Sequence, residues 1–170
     1  MKLHRAWRSS TGYLAILAIF FAVLVVLLIR RGSGSGLQET GDQKDFTAAA
    51  LSENEMLQFF SRRHPGQTIL KYAQADLDND NRDDLIVIYR LSPQRNEMSI
   101  IHFPQDRPTE TNAVPAPVTD QIIQFRDIDD KPPLEFILQG RKGAKVGYAI
   151  FRIEEGQLVD LFGEGMEDCC

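Results

Sequence analysis

Apolar and polar positions alternate on three different rhythms along this chain, and each rhythm predicts a different kind of structure. From Tyr13 to Ile29 the sequence reads YLAILAIFFAVLVVLLI, with no charge and no polar break. A bilayer-spanning helix needs about 17 to 25 such residues, so a transmembrane anchor is expected over 13–31. Lys2, Arg5, Arg8 and Trp7, in the basic flank 1–12, suit one membrane interface, and Arg30 and Arg31 suit the other. A cleavable secretory signal would carry an apolar stretch of about 7 to 15 residues ending in small residues, whereas this one runs into Ile29-Arg30-Arg31. The stretch 32–45 opens with GSGSG and stays polar, the composition of a flexible linker.

From residue 46 the helical rhythm is short and amphipathic. Ser52 as N-cap, Glu55 three residues later, and Leu51 with Met56 as a hydrophobic staple predict a helix closed by Pro65-Gly66, its buried face made of Met56, Leu57 and Phe60. Runs rich in β-branched and aromatic residues then predict strands over 67–75, 84–91, 97–103, 121–127, 134–139, 146–153 and 157–162. A Pro- and Thr-containing loop, 104–117, separates two halves that look related. ADLDNDNRDDLIVIY from Ala75 aligns with RDIDDKPPLEFILQG from Arg126, an offset of 51 positions from Asp76 to Asp127. The expected fold is β-rich (α+β): a membrane helix, one short amphipathic helix, and antiparallel strands over 46–163 in two repeats, followed by a mobile acidic tail, 164–170.

Charge is segregated. Of 19 Lys and Arg residues, five lie in 1–31, and none of the 24 Asp and Glu do, so the remainder holds 14 basic against 24 acidic residues. An acidic domain of this kind is a poor nucleic-acid binder, and no nucleic-acid partner is expected. Three Lys/Arg precede the span and two follow it, which orients the N-terminus inward and the domain outside the cytoplasm.

Two motifs carry candidate chemistry. In the first, Asp76, Asp78 and Asp80 stand at positions 1, 3 and 5 of a loop, with the Arg82 carbonyl at 7 and Asp84 at 9, a spacing that can wrap oxygen ligands around calcium. An EF-hand would place Glu at position 12, which is Val87 here, and would continue as a helix where this chain reads LIVIY. The loop instead resembles the FG-GAP and VCBS-type calcium loops, in which an aspartate-rich turn leads straight into a strand. That resemblance implies a structural calcium ion and a propeller-blade-like repeat, with Asn81 where those loops usually hold Gly. The second loop offers Asp127, Asp129 and Glu135 but has Lys131 opposite Asp80 and stiffening prolines at 132 and 133, so the Lys131 ammonium is the expected stand-in for a metal. The alternative for both is an Asx-rich turn whose carboxylates cap backbone amides with no ion.

The second motif is Cys169-Cys170, the sole cysteines, side by side behind GEGMED. Neighbouring α-carbons lie about 3.8 Å apart, below the roughly 4.4 to 6.8 Å of an unstrained disulfide, and such a bond would close almost no loop. Four uses remain: capture of a soft metal, thiol exchange with a partner, lipid attachment, or none. Glu164, Glu167 and Asp168 should raise the thiol pKa, which disfavours a fast nucleophile and leaves metal capture as the preferred use. His64 and His102 are expected to be structural. An N-terminal span, a small domain and a final Cys-Cys together resemble the Cys-Cys-COOH (seleno)protein family SaoC of selenocysteine-assisted organometal handling. The resemblance implies a non-enzymatic protein of the cell membrane that works beside transporter or organomercury-processing proteins. Mercuric reductase, whose mobile cysteine pair passes Hg(II) inward, is a parallel in mechanism. The alternatives are a calcium-stabilised cell-surface interaction module and a thiol-disulfide exchange partner.

Overall fold

The computed structural model describes residues 43–170; the expected anchor over 13–31 and all but the end of the linker lie outside the described residues. Among the described residues no helix is long and apolar enough to cross a membrane. Two helices, α1 (Ala48–Glu53) and α2 (Glu55–Arg63), precede the long strands. The Thr47 side chain accepts a hydrogen bond from the Ala50 amide, and the Asn54 side chain accepts one from the Leu57 amide. This corrects the expected start at Ser52. Asn54 is extended (φ −119°, ψ 112°) and caps α2, so the chain breaks there, while Ser52 lies inside α1 and donates to the Ala49 carbonyl. Met56, Leu57 and Phe60 are buried as expected.

The described residues hold ten strands, in chain order β1 (Lys44–Asp45), β2 (Thr68–Ala75), β3 (Asp84–Ser92), β4 (Arg95–His102), β5 (Thr109–Glu110), β6 (Val114–Ala116), β7 (Thr119–Phe125), β8 (Phe136–Lys142), β9 (Lys145–Glu154) and β10 (Gln157–Glu164). They form two antiparallel sheets, one ordered β1-β2-β3-β4-β5 with β6 also on β4, the other β10-β9-β8-β7. All seven expected strands are present. The short β1, β5 and β6 are additions, in stretches read as linker and loop, because two or three residues carry no recognisable period of their own.

β3 is buried along most of its length, since its two faces meet different partners. Leu85, Val87 and Tyr89 pack with α2, whereas Ile86 and Ile88 join Met98, Ile123, Phe136 and Leu138 in a core shared with the second sheet. Alternate side chains of a strand point to opposite faces, so a central strand covered on both sides reads as a continuous apolar run. The internal repeat is structural. Shifted by 51 positions, β2, β3 and β4 fall on β7, β8 and β9, and one unusual hydrogen bond recurs: Leu77 N–H donates to Asp84 Oδ2 at 2.8 Å, and Ile128 N–H donates to Glu135 Oε2 at 3.0 Å.

Candidate functional sites

The aspartate loop bridges β2 and β3, and its turn depends on left-handed backbone at Asn79 (φ 63°) and Asn81 (φ 67°), which Asn tolerates better than other non-glycine residues. Asp76 accepts hydrogen bonds from the amides of Asp80 and Asn81, and Asp80 accepts one from Arg82. Carboxylate oxygens of Asp76, Asp78 and Asp84 converge within 4.8 Å of one another; Asp80 is not in that group. The Arg82 side chain turns outward to Asp106 and lies over the Phe103 ring.

Two oxygens of the trio, Asp78 Oδ1 and Asp84 Oδ1, are buried and have no hydrogen-bond partner within the protein. Burial pushes the Asp84 carboxyl up to about 7, the negative charges of Asp78, Asp80 and Asp76 add to the shift, and the Leu77 amide opposes it. Buried oxygens with neither donor nor countercharge are costly, and a hard divalent cation satisfies both needs. His102 also belongs to this neighbourhood, with Nδ1 3.3 Å from Asp78 Oδ2 and Nε2 buried without a partner.

The second loop gathers Asp127, Asp129 and Glu135 in the same way, but it meets a cation of the protein's own. Arg152 Nη1 lies 3.2 Å from Asp129 Oδ2 and 3.0 Å from Glu135 Oε1. The expected stand-in, Lys131, is not the partner: its backbone amide donates to Asp129, and the guanidinium arrives from β9. Register across the sheet, not proximity in sequence, decides which cation answers the carboxylates. Arg152→Ala should therefore lower the melting temperature and create a calcium response from the second loop. Thermal melts of the variant with and without calcium check this; a stability loss that calcium does not reduce would show that the second trio cannot hold an ion.

The thiols occupy a different place. In contrast to the mobile tail expected over 164–170, α3 (Met166–Cys169) is a helical turn seated on β9 and β8. Val118 N–H donates to the Cys169 carbonyl at 3.3 Å, Lys142 Nζ lies 3.5 Å from the Cys170 carbonyl, and Lys145 pairs with Asp168 at 2.6 Å. Glycines make the seat. A Cβ at Gly147 on β9 would stand 2.7 Å from Cys169 Sγ and 2.6 Å from the Gly165 carbonyl oxygen, whereas its register partner on β8, Gly140, makes room for Pro117. Gly165 itself, at φ 68°, turns the chain into α3.

Cys169 is fully buried and Cys170 half-buried; both are free thiols, with their sulfurs 2.9 Å apart. The pKa of the Cys170 thiol is raised as expected, but mainly by burial and by its hydrogen bond with the Cys169 thiol, not by the acidic neighbours, and Lys142 works the other way. Sequence reasoning missed Met166, whose sulfur lies 3.7 Å from Cys169 Sγ and 3.8 Å from Cys170 Sγ. Its signal was the i, i+3 and i+4 spacing, which meets only if the tail is helical.

Gly147→Ala should lift α3 by crowding Cys169 Sγ and the Gly165 carbonyl while leaving all three sulfur-bearing residues unchanged. Overpacking costs about 1 to 3 kcal/mol, so the docking equilibrium should shift by about 5- to 150-fold, read as faster alkylation of Cys169 by a neutral reagent in a protein whose circular dichroism is unchanged. An unaltered rate would mean that the seat does not restrain the thiol. Neither histidine joins the sulfurs: His64 stacks on Phe60 and bonds Glu110, and His102 faces Asp78. No protein-family model, curated protein or solved structure matches this chain.

Proposed function

We propose that this chain is a single-pass protein of the cell membrane whose domain, outside the cytoplasm, binds or relays a soft metal or organometal cation, such as mercury or organomercury, through Cys169 and Cys170. The observation that carries this reading is the pair of free thiols 2.9 Å apart, held in one place by a glycine-made seat. Soft cations prefer sulfur and displace thiol protons, so a high thiol pKa slows capture less than it slows nucleophilic attack. The role is binding, not catalysis, and transporter or organomercury-processing proteins are the matching partners. Calcium in the first aspartate loop would be structural, fastening a propeller-blade-like repeat.

A second reading, a calcium-stabilised surface interaction module with incidental thiols, is favoured by the unpartnered Asp78 and Asp84 oxygens. Thiol-disulfide exchange is less favoured, since burial raises the Cys170 thiol. Titration of the protein with Hg(II) and phenylmercury, beside the Cys169→Ser/Cys170→Ser double variant, separates these readings. Only the soft-cation reading requires tight uptake that the double variant loses.

A further inference from the structure

We propose that Met166 is a third sulfur ligand at the thiol pair, and that the resulting site takes a soft monovalent cation, Cu(I) or Ag(I), in preference to Zn(II). This rests on the thiol-pair reading and extends its cargo. Three sulfurs about 2.3 Å from one tetrahedral ion lie about 3.8 Å apart. Two of the three separations already have that size, 3.7 Å from Met166 to Cys169 and 3.8 Å from Met166 to Cys170. The third, 2.9 Å between the thiols, need only open by a rotamer change of the half-buried Cys170. Met166 is no surface accident, for it packs against the core shared by the two sheets.

Ligand type then selects the ion. A thioether is a neutral, soft donor that binds Cu(I)-like ions, whereas zinc in proteins is bound by thiolate, imidazole and carboxylate. Binding replaces two S–H bonds by two sulfur–metal bonds, and the two protons leave to solvent; the thioether donates a lone pair and releases nothing. An approach exists. Met166 and Cys170 line a cavity of about 420 Å³ with Val114, Pro115, Phe151 and Asp160. Two carboxylates, Asp160 and Glu167, line it and attract a cation; its one basic group, Arg95, is held by Glu97 at 2.9 Å, and the remaining walls are apolar, which suits a weakly hydrated ion better than a strongly hydrated one.

The test uses the full chain in mild detergent, titrated with Ag(I), with Cu(I) under anaerobic conditions and with Zn(II), each against a competing chelator. Met166→Leu is nearly volume-conserving, so α3 should stay docked, verified by slow alkylation of Cys169. The variant should bind Ag(I) and Cu(I) about tenfold or more weakly, the lower end of what losing even an outer-shell partner costs, while Zn(II) affinity stays within about twofold. X-ray absorption should count three sulfurs around Ag(I) in the wild type and two in the variant, and Met166→Cys should restore the third. Unchanged Ag(I) affinity and sulfur count in Met166→Leu, with binding lost in Cys169→Ser/Cys170→Ser, would overturn the role of Met166 and leave the thiol pair standing. Weakened binding accompanied by fast Cys169 alkylation would also overturn it, because undocking would then account for the loss. Wild-type affinity in the double serine variant would instead remove the thiol-pair reading and this inference with it.

Discussion

The wild-type protein should take up one equivalent of Hg(II) about 10²- to 10⁴-fold more tightly than either Cys169→Ser or Cys170→Ser. The reason is effective concentration: once one thiol holds the ion, the second bond is intramolecular, and linking two binding groups commonly raises affinity by about that factor. The sulfurs begin on one helical turn, 2.9 Å apart, and must open to the wider spacing a shared ion imposes, a movement local to Cys169 and the half-buried Cys170. An organomercury cation keeps its carbon bond and has less to gain from a second thiol, so its preference for the pair should be smaller. The two single variants should also differ in rate. Cys170→Ser leaves only the buried Cys169, which must wait for α3 to open, whereas Cys169→Ser leaves the half-buried thiol at the cavity wall. Competition titration measures the affinities and stopped-flow the rates. Equal Hg(II) affinity in all three proteins would deny the pair a joint role and shift the weight to the calcium-dependent surface module.

Calcium should raise the melting temperature, because an ion bound only by the native state stabilises it. At about 100 times Kd the gain is about 2.7 kcal/mol, or about 5 to 15 °C for a domain of this size. Asp78→Ala should remove most of the response, as it deletes one of the two unpartnered oxygens. The pH dependence has a definite sign. In the ion-free protein the Asp84 pKa is raised from 3.8 to about 7, so the folded state holds a proton that the unfolded state releases. Stability from this group is then lost as pH climbs from about 4 to about 7 and is level above that. Calcium requires the carboxylate, so the calcium-induced shift should grow over the same window and plateau near neutrality. Asp84→Asn, which keeps an oxygen to accept the Leu77 amide, should abolish this group's pH trend and the calcium response together. A melting curve indifferent to calcium across the millimolar range, the weak end for extracellular modules, would leave the loop as an Asx-rich turn.

The contrast between the two loops shows how far local sequence reaches. Each places three carboxylates at matching positions, and both trios converge in the fold. Yet one meets the guanidinium of Arg152 and the other meets no arginine or lysine among the described residues, only the His102 imidazole, and the difference lies on β4 and β9, where the positions 51 apart are Ile101 and Arg152. No reading confined to the loop contains that information, which is why Lys131 drew the expectation instead.

The strands and the apolar face of α2 were legible because each follows from a short-range period, alternation for a strand, three and four residues for a helix, turn residues between them, and the repeat because its two copies align residue by residue. The exception inside that range is instructive. Ser52 and Asn54 both suit an N-cap and compete within one turn, and the choice of Asn54 brings its side chain to Gln74 on β2, 3.1 Å away, a contact across the fold. At the end of the chain the same limit applies more strongly. Gly147 and Gly165 read as weak points in a strand and a turn; only their close approach across the fold makes a recess in which Cys169 is buried and Met166 is brought to the thiols. Composition and spacing alone thus determined the seven longer strands, the apolar face of α2 and which atoms are soft or hard donors, since those properties belong to residues and their near neighbours. Which donors meet, which cation faces which carboxylates, and how deeply the thiols lie were decided by strand register and sheet packing, because these set distances between residues far apart in sequence.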